Sequence, residues 1–77
     1  VEKDLVEYIA KSLVDQPDEV VVNVIEGEQS TILELKVAAD DVGKVIGKQG
    51  RIANAVRVIL SASAAKGGKH VQLEILD

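Results

Sequence analysis

Two glycines three positions apart bracket a lysine and a glutamine in Val45-Ile46-Gly47-Lys48-Gln49-Gly50-Arg51. Glycine at 47 suits the left-handed turn that closes a helix, and glycine at 50 lets another backbone come close. The apolar pattern from Ile52 onward predicts a second helix, whose free N–H groups and positive dipole end face the same corner. Lys48 and Arg51 add full charges, with Lys44 one turn earlier as a further candidate. The chemistry open to such a corner is to hold an anion against the main chain, above all a phosphate. Neither G-x-x-x-x-G-K-[ST] nor G-x-G-x-x-G can be written here, since Gln49 follows Gly47-Lys48. What remains is G-x-x-G between two helices, a pattern that can clamp a nucleic-acid backbone and that an ordinary helix-turn-helix connection also satisfies.

The elements that must position this loop follow from hydrophobic period and from breakers. Residues 2–14 place Leu5, Val6, Ile9 and Leu13 on one broad side at helical spacing, and Pro17 ends that helix. Residues 19–25 are β-branched and short, and 31–37 alternate, with Leu33, Leu35 and Val37 opposite Ile32 and Glu34. A polar turn over 26–30 makes the two a hairpin. Asp40 or Asp41 is the expected N-cap of a short helix over 41–46 that Gly47 stops. The longest helix runs from Arg51 to about Ala65, Gly67-Gly68 breaks it, and 70–76 alternate as a last strand. The two strands that flank the helix pair are expected to run parallel. The order is helix, strand, strand, helix, helix, strand, in a single domain over residues 1–77.

Composition narrows the chemistry further. The chain has 77 residues, no cysteine, one histidine and a single aromatic residue, Tyr8. There is no thiolate site, no cofactor or metal motif, and no constellation for acid-base or nucleophilic work, so no catalytic residue is expected. With no long apolar run and no signal peptide, a soluble cytoplasmic protein is expected, with Val1 marking a processed or trimmed start. The net charge is −4, but it is unevenly spread. Residues 1–41 hold eleven acidic side chains against Lys3, Lys11 and Lys36, whereas 42–73 hold none against Lys44, Lys48, Arg51, Arg57, Lys66 and Lys69. A purely basic segment on an acidic body attracts a polyanion locally; a solvated helix face is the plainer reading.

Ser12-Leu13-Val14-Asp15-Gln16-Pro17 and Asp41-Val42-Gly43-Lys44-Val45-Ile46-Gly47-Lys48-Gln49-Gly50-Arg51 together resemble the small bacterial single-KH proteins of the KhpA (YlqC-like) family. The likeness covers nearly the whole chain. It implies an α+β fold, the bacterial-type (type II) KH domain, with a three-stranded mixed sheet and helices packed on one face. It also implies a bacterial cytoplasmic RNA-binding protein that acts as an RNA chaperone or post-transcriptional regulator. Family members form homodimers, pair with a larger KH protein of the KhpB (Jag/EloR) type, and are linked to cell elongation, hence cell shape, and division.

The expected RNA site comprises Lys44, Val45, Ile46, Gly47, Lys48, Gln49, Gly50, Arg51, Asn54 and Arg57. Main-chain N–H groups of 47–50 hold phosphates of a single strand, and the cations supply charge. Bases turn into an aliphatic groove with Val45, Ile46, Ala53 and Val56 as candidate lining, while Ile52 and Ile59 serve the core. The rival reading is an interaction module that dimerises or docks a partner. Ala55, Val58, Ile59 and Ala62 form an extra apolar strip on the long helix, either a dimer interface or a strip covered by the first helix.

Overall fold

The structure, a computed structural model, describes residues 2–76. Its elements are α1 (Glu2–Leu13), β1 (Val21–Glu26), β2 (Ser30–Lys36), α2 (Val42–Ile46), α3 (Arg51–Gly67) and β3 (His70–Leu76). This is the α-β-β-α-α-β order of a bacterial-type KH domain. β2 lies in the middle of the sheet, antiparallel to β1 and parallel to β3.

Local chemistry explains most of the boundaries. Pro17 disfavours helix in Gln16, whose backbone sits at φ −121°, and then opens a short 3-10 turn over Pro17–Glu19 in which Glu19 N–H bonds Gln16 C=O. That turn takes Glu19 out of the strand, so β1 begins at Val21 and not at residue 19. The hairpin turns over 27–29, closed by Gly27 N–H to Ser30 C=O at 2.7 Å. α3 runs on to Gly67 because Gly68 supplies the left-handed cap, with its N–H on Ala64 C=O.

Alternation along the strands puts Val22, Leu33, Leu35 and Leu73 on one face of the sheet, and all four are buried. Over them lie Val6 and Ala10 of α1, Val45 of α2, and Val56 and Leu60 of α3. The other sheet face carries Asn23, Glu34 and Glu74 in one cross-strand row. α3 is rotated from the orientation that would bring Ile52 and Ile59 into the core. Its buried residues are Ala53, Val56, Leu60 and Ala64, because the two alanines let the helix settle close to the sheet. Ile52 is half-buried and Ile59 is 47% exposed, so Ile59 does not serve the core.

Candidate nucleic-acid interface

The two glycines of the loop are held for different reasons. Gly47 has φ 77° and ψ 172°, a region essentially closed to other residues, and not the left-handed helical turn expected of it. A Cβ there would also stand 2.6 Å from Cγ1 of Ile52. Ile52 therefore packs against the bare face of Gly47 and locks the exit of α2 to the entry of α3. Gly50 is in the left-handed helical region, and only Asn54 Nδ2, at 3.8 Å, lies near where its Cβ would be. The space on that side is open.

Lys48–Gly50 form a tight 3-10 turn, with Gly50 N–H on Gly47 C=O and Arg51 N–H on Lys48 C=O. Gln49, at φ 58°, is the non-glycine residue of the chain with positive φ among the described residues. Sequence reasoning did not anticipate this, since glutamine carries no preference for that conformation. As the first two residues of the turn, Lys48 and Gln49 have N–H groups with no partner inside it, the bonds of the turn beginning at the Gly50 N–H. Both side chains are exposed. Among the described residues neither Lys48 nor Arg51 sits in an ion pair; Arg51 Nη2 donates to Gln49 Oε1 at 3.2 Å. Two N–H groups at the start of the turn and two cations outside any ion pair among the described residues thus share one exposed corner.

Asn54 and Arg57 follow on the exposed side of α3. Arg57 Nη1 donates to Asn54 Oδ1 and Arg57 Nη2 to the Leu73 C=O, each at 3.3 Å. The second bond falls on the sheet, where β3 is an edge strand. A shallow trough continues there between α3 and β3, lined by Arg57, Ser61, Val71 and Gln72, and beyond it by Gly68, Lys69 and His70. Val71, Gln72 and the Leu73 carbonyl were missing from the sequence reading, because nothing local tells which strand becomes the edge beside α3.

The expected groove lining is corrected. Val45, Ala53 and Val56 are buried in the core, and of the four only Ile46 is half-exposed. They lie on the sheet-facing side of their helices, so the accessible trough is the polar one just described. Lys44 is also placed differently. Its ammonium donates to Asp15 Oδ2 at 2.9 Å and Asp41 Oδ1 at 3.0 Å. Those two carboxylates, Asp15 first, raise the Lys44 pKa, and the Lys44 hydrogen bond lowers that of Asp41. Asp41 precedes α2 but makes no side-chain cap of its own helix. It instead accepts N–H groups of Asp15 and Gln16 from the end of α1.

The apolar strip on α3 is open. Val58 is 69% exposed, and Ala55, Ile59 and Ala62 are exposed with it. α1 meets α3 along another side, where Ser63 Oγ donates to Glu2 Oε2 at 2.6 Å, and it leaves this strip bare.

Comparison with known proteins gives a consistent set of matches. A family model described as KhpA/KhpB, KH domain, matches residues 3–75. The "RNA-binding protein KhpA" of Borreliella burgdorferi is 64% identical over 76 residues, covering 99% of this chain and 93% of that protein. The protein of the same description from Clostridium acetobutylicum is 64% identical over 74 residues, covering 96% and 99%. That from Treponema pallidum is 55% identical over 76 residues, covering 99% and 95%. No solved structure gives a significant match.

Proposed function

The chain belongs to the KhpA/KhpB KH-domain family, and from that premise we propose that it binds single-stranded RNA through its Gly47–Gly50 turn. The observation that carries this reading is an exposed turn whose first N–H groups, at Lys48 and Gln49, have no partner within it, beside two cations that are in no ion pair among the described residues. Phosphates sit on the turn, Lys48 and Arg51 neutralise them, and open space beside Gly50 lets the strand come close. Bases then turn toward Asn54, Arg57 and the trough along β3, where the guanidinium, the Ser61 hydroxyl and edge-strand backbone groups offer hydrogen bonds. Ile46 supplies the accessible aliphatic contact.

Such a clamp spans about four nucleotides. No phenylalanine, tryptophan or tyrosine ring lies beside the turn, Tyr8 being on α1 and His70 at the far end of the trough, so stacking worth ~1–3 kcal/mol per base is absent at the clamp. One copy therefore binds weakly and with little sequence preference, which suits an RNA chaperone or post-transcriptional regulator of the cytoplasm. Titrating a labelled single-stranded RNA octanucleotide at several salt concentrations tests the reading. With the two phosphates that Lys48 and Arg51 neutralise, log affinity falls against log salt with a slope of about −1.4. A slope indistinguishable from zero refutes an electrostatic clamp.

A second role is favoured by the bare strip of Ala55, Val58, Ile59 and Ala62. We propose that it joins two copies of the chain along α3, or one copy to a KhpB-type KH protein, and raises RNA affinity through effective concentration. Val58→Asp then yields a folded monomer with weaker RNA binding. Wild-type protein that sediments as a monomer at high concentration excludes the homodimer.

A further inference from the structure

The stretch Ser12–Pro17 takes no part in the clamp, yet the fold ties it to the clamp directly. α1 ends at Leu13, and Val14 N–H makes the last helical bond, to Ala10. The next two N–H groups, of Asp15 and Gln16, both turn to the Asp41 carboxylate, at 3.3 Å on Oδ1 and 3.1 Å on Oδ2. Lys44 closes the arrangement from the other side, bridging Asp41 and Asp15. Asp41 is 1% exposed and is the buried charged side chain among the described residues. A carboxylate taken out of water must be met by donors, and here main-chain N–H groups and an ammonium meet it.

The consequence falls on α2. This helix has five residues and stops at Gly47, where the RNA turn begins. So short a helix has no stable orientation of its own. Besides the Ile52 contact on Gly47 at its exit, it is held by Val42 and Val45 against the hydrophobic core and by the Asp41–Lys44 end strapped to the exit of α1. We infer that Asp41 is a positioning residue of the RNA clamp, holding α2 and thereby the Gly47–Gly50 turn against α1, and that Lys44 belongs to this strap and not to the phosphate-binding charge. The RNA readout of this inference rests on the clamp reading above; the strap itself does not.

The test compares wild type with Asp41→Asn, Lys44→Gln, Lys44→Arg and Lys48→Gln. Affinity for the labelled RNA octanucleotide is measured from about 50 to about 200 mM salt, and amide exchange is followed at Gly47, Gly50 and Arg51, whose N–H groups are hydrogen-bonded at the turn. Asp41→Asn is expected to speed exchange at the turn and to weaken RNA binding about tenfold, the worth of one charge-assisted hydrogen bond, with the salt slope unchanged. Lys44→Gln lowers affinity at the wild-type slope and Lys44→Arg restores it, whereas Lys48→Gln also reduces the slope by about 0.7. The inference is overturned if Asp41→Asn exchanges and binds like wild type, or if Lys44→Gln reduces the slope as Lys48→Gln does. Should Asp41→Asn not fold, Lys44→Gln, altered only at a half-exposed side chain, decides between the same outcomes. If no RNA is bound by wild type, the clamp reading fails, and unchanged exchange at the turn in Lys44→Gln still overturns the strap.

Discussion

Replacing Lys48 and Gln49 together by aspartate isolates the loop from the rest of the fold. Both side chains are exposed and the Lys48 ammonium is in no ion pair among the described residues, so the change removes no packing and no buried contact. The hydrogen bond that Arg51 donates to Gln49 Oε1 is on the surface, so its loss costs little. Aspartate also suits the positive φ at 49 better than glutamine does. The folded state is therefore expected to keep its stability. Binding is another matter. Losing one ammonium–phosphate contact removes about 1.5–3 kcal/mol. Two carboxylates about 5 Å from the phosphates add repulsion of about 1–3 kcal/mol each, depending on how far water screens them. Together these weaken binding at least about 100-fold, enough to take a weak single-copy interaction below detection. Fluorescence anisotropy with a labelled single-stranded RNA, alongside circular dichroism and thermal melting, measures both halves. Affinity within threefold of wild type in a folded double variant refutes the clamp.

Gly47→Ala meets both a backbone closed to alanine and the Ile52 side chain, and is expected to lose at least about 2 kcal/mol in denaturant unfolding. Gly50→Ala, strained at φ 74° but unobstructed, is expected to lose only about 1–2 kcal/mol and yet to weaken RNA binding by intruding on the open space; equal stability losses at 47 and 50 contradict this account. Leu60→Ala empties a site with no solvent exposure and costs about 2–5 kcal/mol, a large part of the stability of a domain this small. Asp41 and Glu2 have pKa values lowered in the folded state, by the Lys44 and Ser63 hydrogen bonds respectively. Their contribution is present above the ordinary carboxylate range near pH 4 and is lost as pH falls through the folded values. Lys44, raised by Asp15 and Asp41, contributes below its ordinary value near pH 10 and loses that contribution as pH rises through the folded one. Thermal melting across pH is expected to show a plateau with losses at both ends, and Asp41→Asn is expected to flatten the acid limb.

The order of elements and the mixed sheet were legible because breakers and period agree along this chain. Pro17, Gly27, Gly47 and Gly67-Gly68 separate segments whose apolar residues repeat at 3.6 or at 2, and β3 falls at 70–76 as its alternation requires. The position of the loop, and the exposure of Lys48, Gln49, Asn54 and Arg57, were legible for the same reason. What escaped depends on contacts between distant residues. Asp41 looks like an N-cap from its neighbours, but its partners Asp15 and Gln16 stand 26 and 25 positions away. The same contact turns Lys44 from a free cation into a paired one. The rotation of α3 was hidden because Ile59 outranks Ala53 and Ala64 in hydrophobicity, while close approach to the sheet selects the smaller side chains. The Leu73 carbonyl, as a partner of Arg57, has no sequence signature at all.

The place of β2 in the sheet bears on the order in which the molecule assembles. Its pairing with β1 needs only the turn over 27–29, a closure reached on a microsecond scale. Its pairing with β3 must wait for the chain to traverse all of 37–69 and return, and that span contains α2, the glycine turn and α3. Long closures of this kind are paid for in entropy before their contacts form, so they come late. The hairpin is thus expected to be an early feature and the corner around the glycine turn a late one, completed when β3 docks and gives Arg57 its carbonyl. In pulse-labelled amide exchange during refolding, protection should reach β1 and β2 before the first turn of α3; the opposite order would mean that the helix pair, and not the hairpin, nucleates this fold.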